Sequence, residues 1–162
     1  MLSEQAFPTE DFRNKAGGGA VSTNAPIGHK VISAAAGAGK TFQLVHRFIG
    51  LLVRGVAPDR IIALTFSRKA AGEMFDRIVS ALGAAAGAPG EAATLTRHLQ
   101  ETGSVSPRTT VTSEEATRFL RALVGEMHRL RVGTLDSFFV SIVQAFPFEF
   151  GLGGEIEIID GY

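Results

Sequence analysis

The stretch VISAAAGAGKTFQLV, residues 31–45, changes character twice in a short space. It opens apolar, collapses into alanine and glycine, presents Gly39, Lys40 and Thr41, and then turns amphipathic. The apolar opening reads as a short buried strand over residues 30–34. From Gly39 the pattern is helical, because Leu44, Val45, Phe48, Ile49 and Leu52 recur at three- and four-residue spacing and so share one face. Arg54 and Gly55 suit the end of that helix, and Pro58 follows it.

The octet between strand and helix, AAAGAGKT (residues 34–41), fits the phosphate-loop pattern with alanine in its first position. A di- or triphosphate must approach the backbone closely, so Ala34, Ala35, Ala36, Gly37, Ala38 and Gly39 carry little or no side chain. Successive N–H groups then form an anion nest at the positive end of a helix dipole. Lys40 supplies a point charge to the outer phosphates. The Thr41 hydroxyl is a ligand for Mg²⁺, which takes few protein oxygens beside phosphate and water. The competing reading is a Gly/Ala-rich turn with a surface lysine; strand, loop and helix in register favour the phosphate loop, and with it ATP and Mg²⁺.

Working outward, IIALTF (residues 61–66) is a continuous apolar run suited to a strand buried on both faces. Ser67 can cap a following helix whose inner stripe is Ala70, Ala71, Met74, Ile78 and Leu82. Strand, helix, strand, helix with long crossovers implies a parallel sheet. Residues 83–93, GAAAGAPGEAA, are low in complexity and expected to be mobile, with a helix over residues 92–101 and a turn-rich stretch after it. Thr112 and Glu115 have capping-box spacing, and the helix they open turns Phe119, Leu120, Leu123, Val124 and Met127 inward. VGTL (residues 132–135) is a further strand. Asp136 or Ser137 can cap a helix carrying Phe138, Phe139, Ile142, Val143 and Phe146 and ending at Pro147. EIEIID (residues 155–160) is a last strand. The division that follows is a lead-in over 1–29, a phosphate-loop part over 30–82, a helical insertion over 83–129, and a closing part of the same lobe over 130–162.

Composition bounds the rest. A 45% hydrophobic, 20% charged chain of 162 residues is globular and long enough for one sizeable core. Without cysteine it has neither disulfides nor thiolate metal sites, which fits a reducing cytoplasm. Sixteen cationic and sixteen acidic residues leave no net charge to argue for nucleic acid. The acidic, polar N-terminus is unlike a signal peptide, and no apolar run is long enough to span a membrane.

IIALTFSRKAAGEMFDRI (residues 61–78) resembles motif Ia of UvrD/Rep-type superfamily 1 helicases. GTLDSFF (residues 133–139) resembles their motif Ib, and EIEIID the strand after it; with AAAGAGKT these lie in the family's order. The long stretch between Ia and Ib is closer to the RecB/AddA and exonuclease V branch than to the shorter UvrD arrangement. The resemblance implies an α/β fold of the P-loop NTPase, RecA-like type: a parallel sheet flanked by helices, here an incomplete lobe with a helical insertion. It implies an ATP-driven motor moving 3′ to 5′ on single-stranded DNA in recombination or repair. Lys40 and Thr41 would hold ATP·Mg²⁺. Thr65, Phe66, Arg68, Lys69, Thr134 and Ser137 would line the single-strand track. An aromatic ring stacks on any base, and hydroxyls and cations position phosphates.

Phe66 also suits plain core, and Arg68 and Lys69 a solvated helix start, although cations there oppose the helix dipole. The family's histidine in motif Ib is replaced by Asp136, which cannot donate to phosphate when ionised and reads as an N-cap. Phe42 stands where relatives carry arginine and suits adenine stacking or core packing equally. Gln5 lies far from Lys40 for an adenine-reading glutamine. Arg118, Arg121, His128, Arg129 and Arg131 read as a solvated face, and His29, His46 and His98 lack metal-ligand spacing.

Hydrolysis also needs an acidic Mg²⁺ site, a water-orienting group and an arginine at the γ-phosphate. Asp136 and Asp160 end strands, but neither is followed by glutamate. These absences lead to the expectation of a fragment, the leading part of a first motor lobe, inactive alone and needing a second RecA-like lobe. A fragment of this kind would leave apolar faces uncovered. The alternative is a small P-loop kinase that transfers phosphoryl from ATP to a small acceptor, with residues 83–129 as its lid.

Overall fold

The computed structural model describes residues 29–32 and 39–152. Among them are five α-helices and a parallel two-stranded sheet: α1 (Lys40–Val53), β1 (Ile62–Thr65), α2 (Arg68–Gly87), α3 (Pro89–Glu101), α4 (Ser113–Gly125), β2 (Arg131–Thr134) and α5 (Leu135–Ala145). The fold is thus mixed α/β. The lead-in over 1–28, most of the small-residue loop and the expected strand at 155–160 lie outside the described residues.

The strand expected over residues 30–34 is not seen in its described part. Lys30 to Ile32 has no regular structure, and Val31 is 95% exposed. A single extended segment leaves its backbone groups unpaired, so apolar composition alone does not make a strand. Lys30 is instead tied down by its side chain, whose Nζ donates to the Thr102 carbonyl at 2.6 Å.

In α1, Val45, Phe48, Ile49 and Leu52 are buried as their spacing requires, but Leu44 is exposed. His46 and Gly50 complete the buried face in its place. Gly50 is there because nothing larger fits: an added Cβ would stand 2.6 Å from Ser104 Cβ and 2.9 Å from Ser104 O. Gly50→Ala therefore forces the α3–α4 connection outward, and a loss of about 1–3 kcal/mol is expected in a urea melt. Gly55, at φ +81°, ends the helix in the left-handed region.

α2 is the central helix and packs on α1, α3 and α4. The Ser67 hydroxyl accepts from Ala70 N at 3.1 Å, the expected cap. Ala71, Met74, Ile78, Leu82 and Ala85 are buried. The alanine run is not mobile but helical. α2 continues to Gly87, and α3 starts at once with Pro89 in its first turn, where a missing N–H costs nothing. Alanine is the best helix former, and here it has a core to face.

The α4 capping box is present, Thr112 Oγ1 accepting from Glu115 N and Glu115 Oε2 from Thr112 N. Leu123 and Ala116 are buried and Phe119 and Leu120 partly so, whereas Val124 and Met127 are exposed. The helix ends at Gly125, and the short 3₁₀ turn Met127–Arg129 breaks the periodicity that pointed Met127 inward.

β1 is buried on one face only. Ile61 and Ala63 belong to the core, while Ile62 is 47% exposed and Leu64 is exposed as well. A continuous apolar run implies cover on both faces, and among the described residues only one is covered. β2 runs one residue earlier than expected, so Leu135 opens α5. No residue of α5 is fully buried: of the expected inner stripe, Phe138, Ile142 and Val143 are partly buried, and Phe139 and Phe146 are each more than half exposed.

Candidate phosphate site and nucleic-acid interface

The phosphate-loop residues Ala34, Ala35, Ala36, Gly37 and Ala38 lie outside the described residues. Gly39, Lys40 and Thr41 lie within them. Gly39 is the residue before α1 at φ 81°, ψ 14°, a left-handed conformation that suits glycine. Lys40 is the first helical residue and is exposed; Thr41 follows half-buried. No side chain caps this helix start, and no acidic residue stands in its first turn. Such an end, with no acidic group in its own first turn, presents N–H groups and positive dipole that suit a polyphosphate.

One turn on, Phe42 is partly exposed and packs on two histidines. Its ring centroid is 4.0 Å from that of His46 and 5.1 Å from that of His98, which are 5.3 Å from one another. Phe42 is thus neither plain core nor an unsupported plate. Burial holds the His46 imidazole below the usual histidine range. Its Nδ1 contact with the Phe42 carbonyl at 2.7 Å works the other way, and His98 adds to the lowering. The three rings tie the helix after the phosphate loop to α3. Among the described residues no group of three or more His, Asp or Glu side chains could hold a metal ion.

The second cluster lies at the carboxyl ends of the strands. β1 and β2 pair in parallel with Thr65 opposite Thr134, so the turns leaving both strands emerge side by side. Thr65 Oγ1 donates to the Ser67 carbonyl at 2.9 Å and shapes the turn that carries Phe66. Phe66 is 93% exposed, so the core reading of this ring does not hold. Arg68 and Lys69 open α2, exposed and without an ion pair among the described residues.

On the β2 side the cap is neither Asp136 nor Ser137 but Thr134, in a capping box with Ser137. Thr134 Oγ1 accepts from Ser137 N at 3.1 Å, and Ser137 Oγ accepts from Thr134 N at 3.1 Å while donating to the Thr134 carbonyl at 2.8 Å. Chain direction explains the shift, since β2 ends one residue early and the cap moves with it. Thr134 is buried, so its hydroxyl serves the fold; Ser137 and Asp136 are exposed in the first turn. Of the basic stretch, Arg129 pairs with Asp59 at 2.9 Å and Glu126 at 3.4 Å, and Arg118 with Glu115 at 3.5 Å, which is a solvated, internally paired face.

Sequence reasoning missed a cleft of about 400 Å³ beside this cluster, between α2 and β2. Arg68, Gly72 and Phe75 line one wall; Met127, Leu130 and Val132 line the other. The four-residue step from Arg68 to Gly72 marks one helix face, but nothing in the sequence shows that this face and β2 border a cleft.

The model of the UvrD/REP helicase N-terminal domain matches residues 15–161. Curated relatives include an ATP-dependent helicase/nuclease subunit of Streptococcus suis, 30% identical over 129 residues, covering 80% of this chain and 9% of that protein. The protein of the same name from Heliobacterium modesticaldum is 32% identical over 130 residues, covering 80% of this chain and 8% of its own length. The chain therefore spans under a tenth of the relatives it matches. No solved structure matches it significantly. The motif order, the glycine-opened helix bearing Lys40 and Thr41, the paired strand ends and the family match agree: this chain belongs to the UvrD/REP helicase N-terminal domain family.

Proposed function

We propose that this chain is the nucleotide-binding and strand-gripping part of an ATP-dependent DNA helicase that moves 3′ to 5′ on single-stranded DNA in the cytoplasm. In this reading it forms the leading part of a RecA-like P-loop lobe. Residues 30–82 and 130–162 make up the lobe, with 83–129 as an insertion, and a second RecA-like lobe completes the motor. Ala34 to Thr41 hold the phosphates of ATP. Lys40 neutralises charge on the outer phosphates, and Thr41 holds Mg²⁺. Bound ATP supplies the phosphoanhydride whose cleavage drives movement; the chain's own part is to bind and orient it.

The observation that carries the reading is the in-register pairing of Thr65 with Thr134, which gathers motif Ia and motif Ib at one sheet edge. At that edge Phe66 offers a stacking face and Arg68 and Lys69 offer cations to phosphates, a sequence-tolerant grip. Thr65 and Ser137 act there mainly by shaping the two turns, and Thr134 acts by capping α5. A small kinase would share the phosphate loop but has no use for this edge.

Phe66→Ala tests the grip. Its ring touches little of the fold, so stability is expected to stay unchanged. Affinity for a labelled oligothymidylate is expected to fall by roughly 1–3 kcal/mol, the worth of one base–aromatic stack. Unaltered affinity in fluorescence anisotropy would remove the ring from the track. Phosphoryl transfer from ATP to a small acceptor would select the kinase instead.

A further inference from the structure

The end of α3 reaches both sides of the small-residue loop. Its C-cap is Thr102, and Gly103 follows with φ +65°. Gly103 N donates to the Gln100 carbonyl and Ser104 N to the Leu99 carbonyl, each at 2.9 Å, the paired closure of a helix that stops at glycine. Neither bond uses the Thr102 carbonyl. That carbonyl lies at the negative end of the helix dipole, and it accepts from the Lys30 ammonium at 2.6 Å. Lys30 stands before the loop, 72 residues from Thr102.

The same turn of α3 holds the other side. His98 precedes Thr102 by four residues and shares its helix face. The His98 ring meets Phe42 edge-on at 5.1 Å and His46 edge-on at 5.3 Å. The turn is itself seated on α1. Thr102 Oγ1 donates to the His98 carbonyl at 2.9 Å and lies 2.9 Å from Ser104 Oγ, and Thr102 and Ser104 are both buried. Ser104 abuts Gly50 of α1 so closely that a Cβ there would stand 2.6 Å from Ser104 Cβ.

Fold stability gives little reason for the Lys30 tie. Lys30 is exposed, and holding a lysine in one geometry costs rotamer entropy that an exposed contact barely offsets. Its effect is on position: residues 30 and 42, on either side of the loop, are anchored to one turn of one helix. Groups ordered before a ligand arrives bind it more tightly, because the ordering cost is not taken from the binding energy.

We infer that the last turn of α3 is a bracket that positions Lys40 and Thr41 for a nucleoside triphosphate, with Lys30 and His98 as its positioning residues. The inference rests on the phosphate-loop reading proposed above.

The test compares wild type with Lys30→Met and His98→Ala, and with the conservative variants Lys30→Arg and His98→Phe. Two quantities are measured: affinity for a fluorescent ATP analogue with Mg²⁺, and hydrogen exchange of the unliganded chain by mass spectrometry. Lys30→Met and His98→Ala are each expected to bind the analogue roughly 3- to 10-fold more weakly and to exchange faster over residues 43–47. Lys30→Arg keeps the cation and His98→Phe keeps the ring, so both should restore most of the affinity. Titration well below each variant's melting temperature samples folded chains, so lost stability alone leaves the affinity unchanged. Wild-type affinity in Lys30→Met would overturn the bracket and leave the phosphate loop standing, as would unchanged exchange in both variants. Weaker binding in Lys30→Met but not in His98→Ala would also overturn it, since Lys30 would then meet the nucleotide itself. Failure of the wild type to bind the analogue would overturn the phosphate-loop reading and the bracket together.

Discussion

Lys40→Ala is expected to leave the chain folded and to weaken its ATP binding by roughly 10- to 150-fold. Lys40 is exposed at the first position of α1, where a cation opposes the helix dipole. Alanine at this exposed helix start keeps the backbone intact, so thermal stability is expected to stay within about 1 kcal/mol of the wild type's. The nucleotide loses a charge-assisted contact worth about 1.5–3 kcal/mol, or roughly 10- to 150-fold in affinity. A large loss on the ligand side with the fold kept separates a phosphate-binding lysine from a surface one. Titration with a fluorescent ATP analogue in the presence of Mg²⁺ measures the ligand side, and a thermal melt measures the fold side. Equal affinity in wild type and variant would return AAAGAGKT to a glycine-rich turn.

Leu82→Ala is expected to cost about 2–5 kcal/mol, a large part of the roughly 5–15 kcal/mol that holds a typical domain together. Leu82 is fully buried in the cluster where α2 meets α1, α3 and α4, alongside Ile49, Ile78, Leu99 and Leu123. Its removal leaves a cavity that three separate helices would have to close. The neighbouring partly exposed Ala81 offers a control, since truncation there to glycine should cost only about 1 kcal/mol through helix propensity. Urea midpoints compared at constant m-value measure both. A Leu82→Ala midpoint near the wild type's would mean that this helical cluster is not the stabilising core.

The local signals were legible because they are local. Ser67 and the pair Thr112–Glu115 cap helices in the structure as their spacing required. Gly55 ends α1 with positive φ. The stripe Ala71, Met74, Ile78 and Leu82 is inward because helical periodicity leaves no other common face. The errors fall where an answer depends on a neighbour. Leu44, Val124 and Phe139 have the right spacing for burial, but burial needs something opposite, and among the described residues they are left about half exposed. The alanine-rich stretch 83–93 read as mobile because it has few bulky side chains, yet a helix of small residues packs closely once a core is available.

The same division runs through the site. Sequence alone determined that a small-residue loop leads into a helix at Lys40, that Ser67 starts a second helix, and that two short strands are joined in parallel. Each of these follows from residue chemistry within a few positions of itself. Only the tertiary structure decided that Thr65 faces Thr134, that Phe66 points into solvent, that Thr134 rather than Asp136 caps α5, and that Gly72 opens on a cleft. Strand register is fixed by pairing between residues 69 apart, Thr65 with Thr134, and a one-residue shift moves every cap and side chain that follows. No window of sequence contains both partners of such a pair.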